Sequence, residues 1–200
     1  MAHDELMKEL DARRAAARRM GGPEKLARRA EKGDLNAEER VAALVDEGSF
    51  YETGLLGVSS YSPAEAARTP RDGKIAGFGR IDGRDVGVVA NDFTTKGAST
   101  GATNSKKMGH IRKTCVERGI PFLHLGESTG ARLPDAMGSR GMGQMLGNDT
   151  SQFRRKREVP YLSAALNTSF GSSAWMCCMA DFAVMKKGSI MSVSSPRLVS

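Results

Sequence analysis

Two hundred residues, 40% of them hydrophobic, suffice for one globular domain with its own core or for part of a larger one. No apolar run approaches the roughly 20 residues of a membrane span, and the start, Met1-Ala-His-Asp-Glu-Leu-Met-Lys-Glu-Leu10, has no apolar signal core and too much acid for a transit peptide, so a cytoplasmic protein is expected. The net charge of +7 is uneven: residues 101–157 hold eleven Lys/Arg against four Asp/Glu, a local basic field that suits a polyphosphate-bearing ligand better than a general nucleic-acid surface.

Residues 3–30 are rich in Ala, Arg, Leu and Glu, with Leu6, Leu10 and Ala17 at helical spacing, broken at Gly21-Gly22-Pro23 and resumed from Glu24. They read as a helical arm, residues 1–30, whose balanced charge removes it as a nucleic-acid tail. Asn36-Ala-Glu-Glu39 places an N-cap residue three before a Glu, ahead of Val41, Leu44 and Val45 on one face, so a short helix should end near Asp46-Glu-Gly48. Residues 54–73, rich in Gly, Ser and Pro, read as a covering loop. The period then changes: Lys74 to Ile81 and Asp85 to Asn91 flank Asp82-Gly83, the signature of a hairpin with a tight turn.

After Phe93, the loop Lys96-Gly-Ala-Ser-Thr-Gly101 opens a helix running to about Arg118, with Met108, Ile111 and Cys115 facing inward and Gly119 stopping it. A strand is expected over 120–125, a helix over 138–153, a strand over 159–166, a helix over 172–178, and two last strands at 182–185 and 190–193. Alternation of strand and helix gives an α/β layered domain. The end at Ser200, with no helix to cover the last strand, reads as that of a fragment.

Two glycine loops close apolar runs: Gly126-Glu-Ser-Thr-Gly-Ala-Arg132 and Asn167-Thr-Ser-Phe-Gly-Ser-Ser-Ala174. Each reads as strand, tight turn and helix start, which leaves backbone N–H groups available to an anion. With no Ser-His-Asp set, such loops suit chemistry that stabilises a developing oxyanion with amides. Arg154-Arg-Lys-Arg157 could clamp a phosphate or be a solvated helix end. Glu127 reads as a capping carboxylate, His3, His110 and His124 as structural or solvent residues, and Cys115, Cys177 and Cys178 as reduced thiols, mostly buried, with no metal-ligand spacing. An RNA-binding module is disfavoured, since the few aromatics do not interleave with the basic run.

The order of these motifs resembles the carboxyltransferase, or β, subunits of biotin-dependent acyl-CoA carboxylases, of the propionyl-CoA and methylcrotonoyl-CoA type. The residues concerned are Glu31 to Arg40 with Asp46 to Phe50, Gly79-Arg-Ile-Asp-Gly83 with Asn91-Asp-Phe93 and Gly97-Ala-Ser99, Gly130-Ala-Arg132, and Gly171 to Asp181-Phe182. The chain departs from the usual pattern at Thr129 and Ser172, where that family has Gly, and carries Trp175-Met176 after the second loop. The resemblance implies a crotonase-like layered ββα-repeat fold, with residues 31–200 as an amino-terminal carboxyltransferase domain. It implies transfer of CO₂ from carboxybiotin to the α-carbon of an acyl-CoA through an enolate, or the reverse step of a biotin-linked decarboxylase.

By the same resemblance the amides of Gly171 and Ser172 would be the oxyanion donors. Gly97, Ala98, Ser99, Gly130, Ala131, Arg132 and Trp175 would contact substrate, with Trp175 reading the acyl group or packing in the core. Arg154, Arg155 and Arg157 would meet the CoA phosphates. Biotin would be carried on another subunit or domain, no metal would be bound, and a biotin carboxylase or carrier subunit would be a partner. A homo-oligomer would complete the site from a second subunit, so this half alone should bind CoA without turnover.

Overall fold

In the computed structural model, which describes residues 2–137, 139, 141, 143 and 158–194, a seven-stranded sheet is covered by helices on both faces. The arm is two helices, α1 (Ala2–Arg18) and α2 (Pro23–Ala30). Between them Gly21 lies so close to the loop that follows Asn91 that a Cβ there would stand 2.1 Å from the Thr94 carbonyl oxygen; its amide donates to Thr94 Oγ1 at 2.9 Å. Helix α3 (Ala37–Leu44) has the expected capping box: Asn36 Oδ1 accepts from the Glu39 amide at 3.0 Å, and Glu39 Oε2 accepts from the Asn36 amide at 2.8 Å.

Strands β2 (Lys74–Ile81) and β3 (Arg84–Asn91) form the expected hairpin. Its turn residues Asp82 and Gly83 both have positive φ, 49° and 75°, which matches the twist of the flanking strands. Both carboxylate oxygens of Asp46 accept from the turn amides at 2.9 Å. Strand β1 (Tyr51–Thr53) pairs with β2, and the segment expected to be a plain covering loop holds a short helix, α4 (Pro63–Ala67), capped by Ser62. Helix α5 (Ala102–Arg118) ends on the left-handed Gly119 and buries Ile111 and Cys115 fully.

The remaining strands run parallel: β4 (Phe122–Thr129), β5 (Tyr161–Phe170), β6 (Phe182–Met185) and β7 (Ile190–Ser192). Chain order and sheet order agree from β1 to β6, and β7 continues along the same edge of β5 beyond β6. The short α6 (Leu133–Ala136) follows β4, and α7 (Ser172–Met179) joins β5 to β6. Of the helix expected over 138–153, residues 139, 141 and 143 are helical and the others lie outside the described residues. Period-two alternation divides the core. Ile75, Val86, Val88 and Ala90 pack with Met20, Ala37 and Val41 on the arm side, whereas Ala76, Val89, Phe122 and Tyr161 pack with Ile111, Cys115 and Met176 on the other.

Two strands are longer than expected. β4 was expected to end at 125 and β5 at 166, but each continues for four residues. The polar residues that read as turn formers are held in the ladder by each other, because between the pairs Gly126↔Ala165 and Ser128↔Ser169 β4 advances two residues while β5 advances four. This bulge absorbs the extra length and brings both strand ends to one place.

Candidate active site

Three segments meet at the carboxyl ends of β4 and β5. Thr100 forms a parallel bridge with Ala131: its amide donates to the Gly130 carbonyl at 2.8 Å, and its carbonyl accepts from the Arg132 amide at 2.7 Å. Ser128 Oγ donates to the Ala98 carbonyl at 3.2 Å, and Thr129 Oγ1 to that of Gly97 at 3.4 Å. The second loop closes on the first so tightly that a Cβ on Gly171 would stand 3.0 Å from Gly130 Cα. Gly171 also has φ 58° and ψ −121°, a conformation that disfavours any side chain. The hydroxyls of Ser172 and Thr100 are hydrogen bonded, so the serine that stands in place of glycine ties its side chain back into the loop cluster.

Most amides around this junction are already engaged. Those of Ala98 and Ser99 donate to the carbonyls of Thr95 and Lys96, at 2.9 and 3.2 Å, so these two residues of the 97–99 loop shape the site with their amides already engaged. The Gly171 amide donates to the Ser192 carbonyl at 3.2 Å, which corrects the reading of Gly171 as a free oxyanion donor. Helix α7 begins immediately afterwards, and its first-turn amides at Ser172, Ser173 and Ala174 have no carbonyl four residues back within the helix. The positive end of α7, beside Gly130 and Ala131, is therefore where a developing negative charge is best met.

Arg132, expected to contact substrate, has its guanidinium engaged within the protein. It is buried at 5% exposure, paired with Asp72 at 2.6 Å and Asp135 at 3.3 Å, and its guanidinium also donates to the Ser99 carbonyl at 3.0 Å and to Ser99 Oγ at 3.3 Å. Burial pushes the Asp72 carboxyl above its usual value against the pull of Arg132. Arg132 thus fastens the 97–101 loop to the turn after β4. The side chain of Ala98 is likewise fully buried. Trp175 is 53% exposed, which removes the reading of it as core, and Met176 takes that role; Leu133 and Met137, after the first loop, are also exposed.

The basic residues fall in two groups. Arg154, Arg155 and Arg157 lie outside the described residues. A cleft of about 660 Å³, lined by Arg13, Arg19, Lys25, Arg68 and Lys96, opens between the arm, α4 and the start of the 96–101 loop. Sequence reasoning missed it, because the arm is balanced in charge overall and only its docking turns these cations to one side. Glu127 is no helix cap: it lies within β4, is 2% exposed and pairs with Arg29 and Arg40. His124 is buried with Nδ1 2.9 Å from Ser163 Oγ, and burial lowers its pKa to about 3, a structural histidine as expected. Cys115 and Cys177 are buried and Cys178 is exposed. Among the described residues no group of side chains could hold a metal ion, and no helix is long and apolar enough to cross a membrane.

Residues 28–200 match the family described as carboxyl transferase domain. The chain is 32% identical over 199 residues to the propionyl-CoA carboxylase beta chain of Roseobacter denitrificans, covering 98% of this chain and 38% of that relative. It is 31% identical over 206 residues to the propionyl-CoA carboxylase carboxyltransferase subunit of Haloferax mediterranei, covering 100% of this chain and 39% of that one. The transcarboxylase 12S crystal structure, a hexamer with methylmalonyl-coenzyme A and methylmalonic acid bound, superposes with a TM-score of 0.85 at 27% identity, covering 98% of this chain and 38% of that chain. The chain therefore spans about two fifths of the length of each of these three proteins.

Proposed function

Because the chain belongs to the carboxyl transferase domain family, we propose that it forms the acyl-CoA half of a biotin-dependent carboxyltransferase, working on the α-carbon of an acyl-CoA. The observation that carries this reading is the junction of the 97–101, 128–132 and 169–173 segments at the start of α7, where the amides of Ala98, Ser99, Thr100, Gly130, Arg132 and Gly171 are engaged and the first-turn amides have no carbonyl four residues back within the helix. A thioester carbonyl seated there gains negative charge as its α-proton leaves, and the amides of Ser172 and its neighbours meet that charge. In other enzymes one such donor contributes on the order of 3 kcal/mol. Trp175, Leu133 and Met137 supply the apolar surface at the mouth, toward the acyl chain and a second subunit.

The start of α7 fits the thioester oxygen; the biotin side is assigned to another subunit. Biotin carried by that partner would supply the carboxyl group. In this chain Arg132 and Asp72 keep the loops in register, Ser172 fixes the helix start through Thr100, and the cleft at Arg19, Lys25, Arg68 and Lys96 takes the CoA phosphates beside the 96–101 loop.

Calorimetry with propionyl-CoA and its 3′-dephospho form tests the reading. The 3′-phosphate should strengthen binding by about tenfold, one charge-assisted hydrogen bond, and Arg19→Ala should remove that difference. If Arg154→Ala or Arg157→Ala removes it instead, the phosphates rest on residues 154–157. Failure to bind either ligand would refute the assignment to acyl-CoA.

A further inference from the structure

A cluster not used by the chemistry above sits under both loops. Arg29 of α2 forks onto Glu127, Nη1 to Oε1 at 3.0 Å and Nη2 to Oε2 at 2.9 Å. Arg40 of α3 donates to the same Oε2 at 2.6 Å, and Asn167 of β5 donates to Oε1 at 3.1 Å. All four residues are buried or half-buried. Glu127 is the single residue of β4 that stands opposite three residues of β5, 166–168, between the pairs Gly126↔Ala165 and Ser128↔Ser169. Asn167, the middle of those three, has φ 145°, which costs about 1–3 kcal/mol outside glycine and persists only where neighbours impose it. The main-chain carbonyl of Glu127 is also held, by Asn91 Nδ2 at 3.0 Å.

We infer that Glu127, held by Arg29 and Arg40, is the positioning residue of this site: it fixes the bulge whose length sets where the Gly130 turn and the start of α7 meet. The inference rests on the reading of that junction as an acyl-CoA site. Each element of the clamp has a reason. A carboxylate buried opposite a bulge needs compensating charge, and the forked Arg29 supplies direction as well as charge. Arg29 belongs to the arm, so the arm is a brace of the junction and not an appendage. The clamp's four residues lie in α2, α3, β4 and β5, outside the 97–101, 128–132 and 169–173 segments. The clamp acts through distance, since Ser128, one residue from Glu127, bonds the 96–101 loop, and Ser169, two residues from Asn167, bonds the Gly126 carbonyl at 3.2 Å.

The test separates positioning from general stability. Wild type and Glu127→Gln are compared by calorimetry with propionyl-CoA and with adenosine 3′,5′-bisphosphate, which carries the phosphates without the thioester, at a temperature where circular dichroism shows both proteins folded. The expected result is bisphosphate affinity unchanged within about twofold and propionyl-CoA affinity reduced about tenfold. Equal loss for both ligands, or loss for neither, overturns the inference. If wild type binds neither ligand, the acyl-CoA reading falls by itself. The positioning role is then decided by amide hydrogen exchange at residues 128–132 and 169–173, which should rise in Glu127→Gln; unchanged exchange there overturns it. Should Glu127→Gln not fold, Arg29→Lys, which keeps the charge and loses the fork, is put through the same comparison with the same expected split.

Discussion

Lys74 is a heavy electrostatic burden on the fold. Its side chain is 1% exposed, its ammonium donates to Asn91 Oδ1 at 2.8 Å, and burial lowers its pKa from 10.5 to about 7. In the unfolded chain the group holds its proton until about pH 10.4, so between pH 7 and that value the unfolded state binds a proton the native state has released. Stability therefore rises with pH across this window, by about 1.4 kcal/mol per unit for one proton. The full window amounts to about 3–5 kcal/mol, and below pH 7 the whole penalty is present. Lys74→Met keeps the volume and removes the titration, at the cost of leaving Asn91 Oδ1 without this donor, about 1–3 kcal/mol. Urea unfolding of both proteins at pH 7, 8 and 9 should show the variant more stable by about 1–3 kcal/mol at pH 7, with the advantage shrinking and reversing toward pH 9. Lys107, lowered to about 8 by burial, titrates in both proteins and cancels. Parallel stability–pH profiles for the two proteins would refute the reasoning.

In a completed enzyme, Ser172→Pro should keep the fold, because proline suits a first helical position, and lose about 10²–10³ in rate with its amide; Ser172→Ala, which removes only the hydroxyl, should stay within a few-fold. Arg132→Ala strands Asp72 and Asp135 without their guanidinium and should destabilise by about 3–5 kcal/mol in denaturant titration; a loss below about 1 kcal/mol would return Arg132 to the substrate-contact role. Iodoacetamide at pH 8 should label the exposed Cys178 in the native protein and spare Cys115, whose thiol burial pushes up to about 12, and Cys177, raised for the same reason. Equal labelling of all three, followed by mass spectrometry, would contradict that burial.

What was legible in the chain was local. Asn36 with Glu39, Asp82-Gly83 and Gly119 each carry their meaning within four residues, and each element they delimit is present. Ser62-Pro63 with Glu65 was an equally local signal for α4 that the Gly/Pro content of its neighbours concealed. The two glycine loops do come together, but their strands were read too short, because Gly126-Glu127-Ser128 and Asn167-Thr168-Ser169 have turn-forming side chains and are held as strand by partners distant in sequence. Glu127 was misread for the same kind of reason: its partners Arg29 and Arg40 lie 98 and 87 residues away in sequence. Which backbone donors remain available was equally nonlocal, since the engagement of Gly171 depends on Ser192 and that of Thr100 on Gly130.

The agreement between chain order and sheet order has a consequence for synthesis. From β1 to β6 each new strand adds beside one already made, so a chain leaving the ribosome can extend its sheet strand by strand without waiting for a later segment to fill a gap. The arm is the exception. It is made first and packs on early segments, Pro70–Gly73 and the β2–β3 hairpin, but Arg29 finds its carboxylate only after Glu127 has emerged. During that interval the arm's apolar face, including Met20 and Leu26, has only a partial sheet to cover, and it is there that a nascent-chain chaperone would find its binding site.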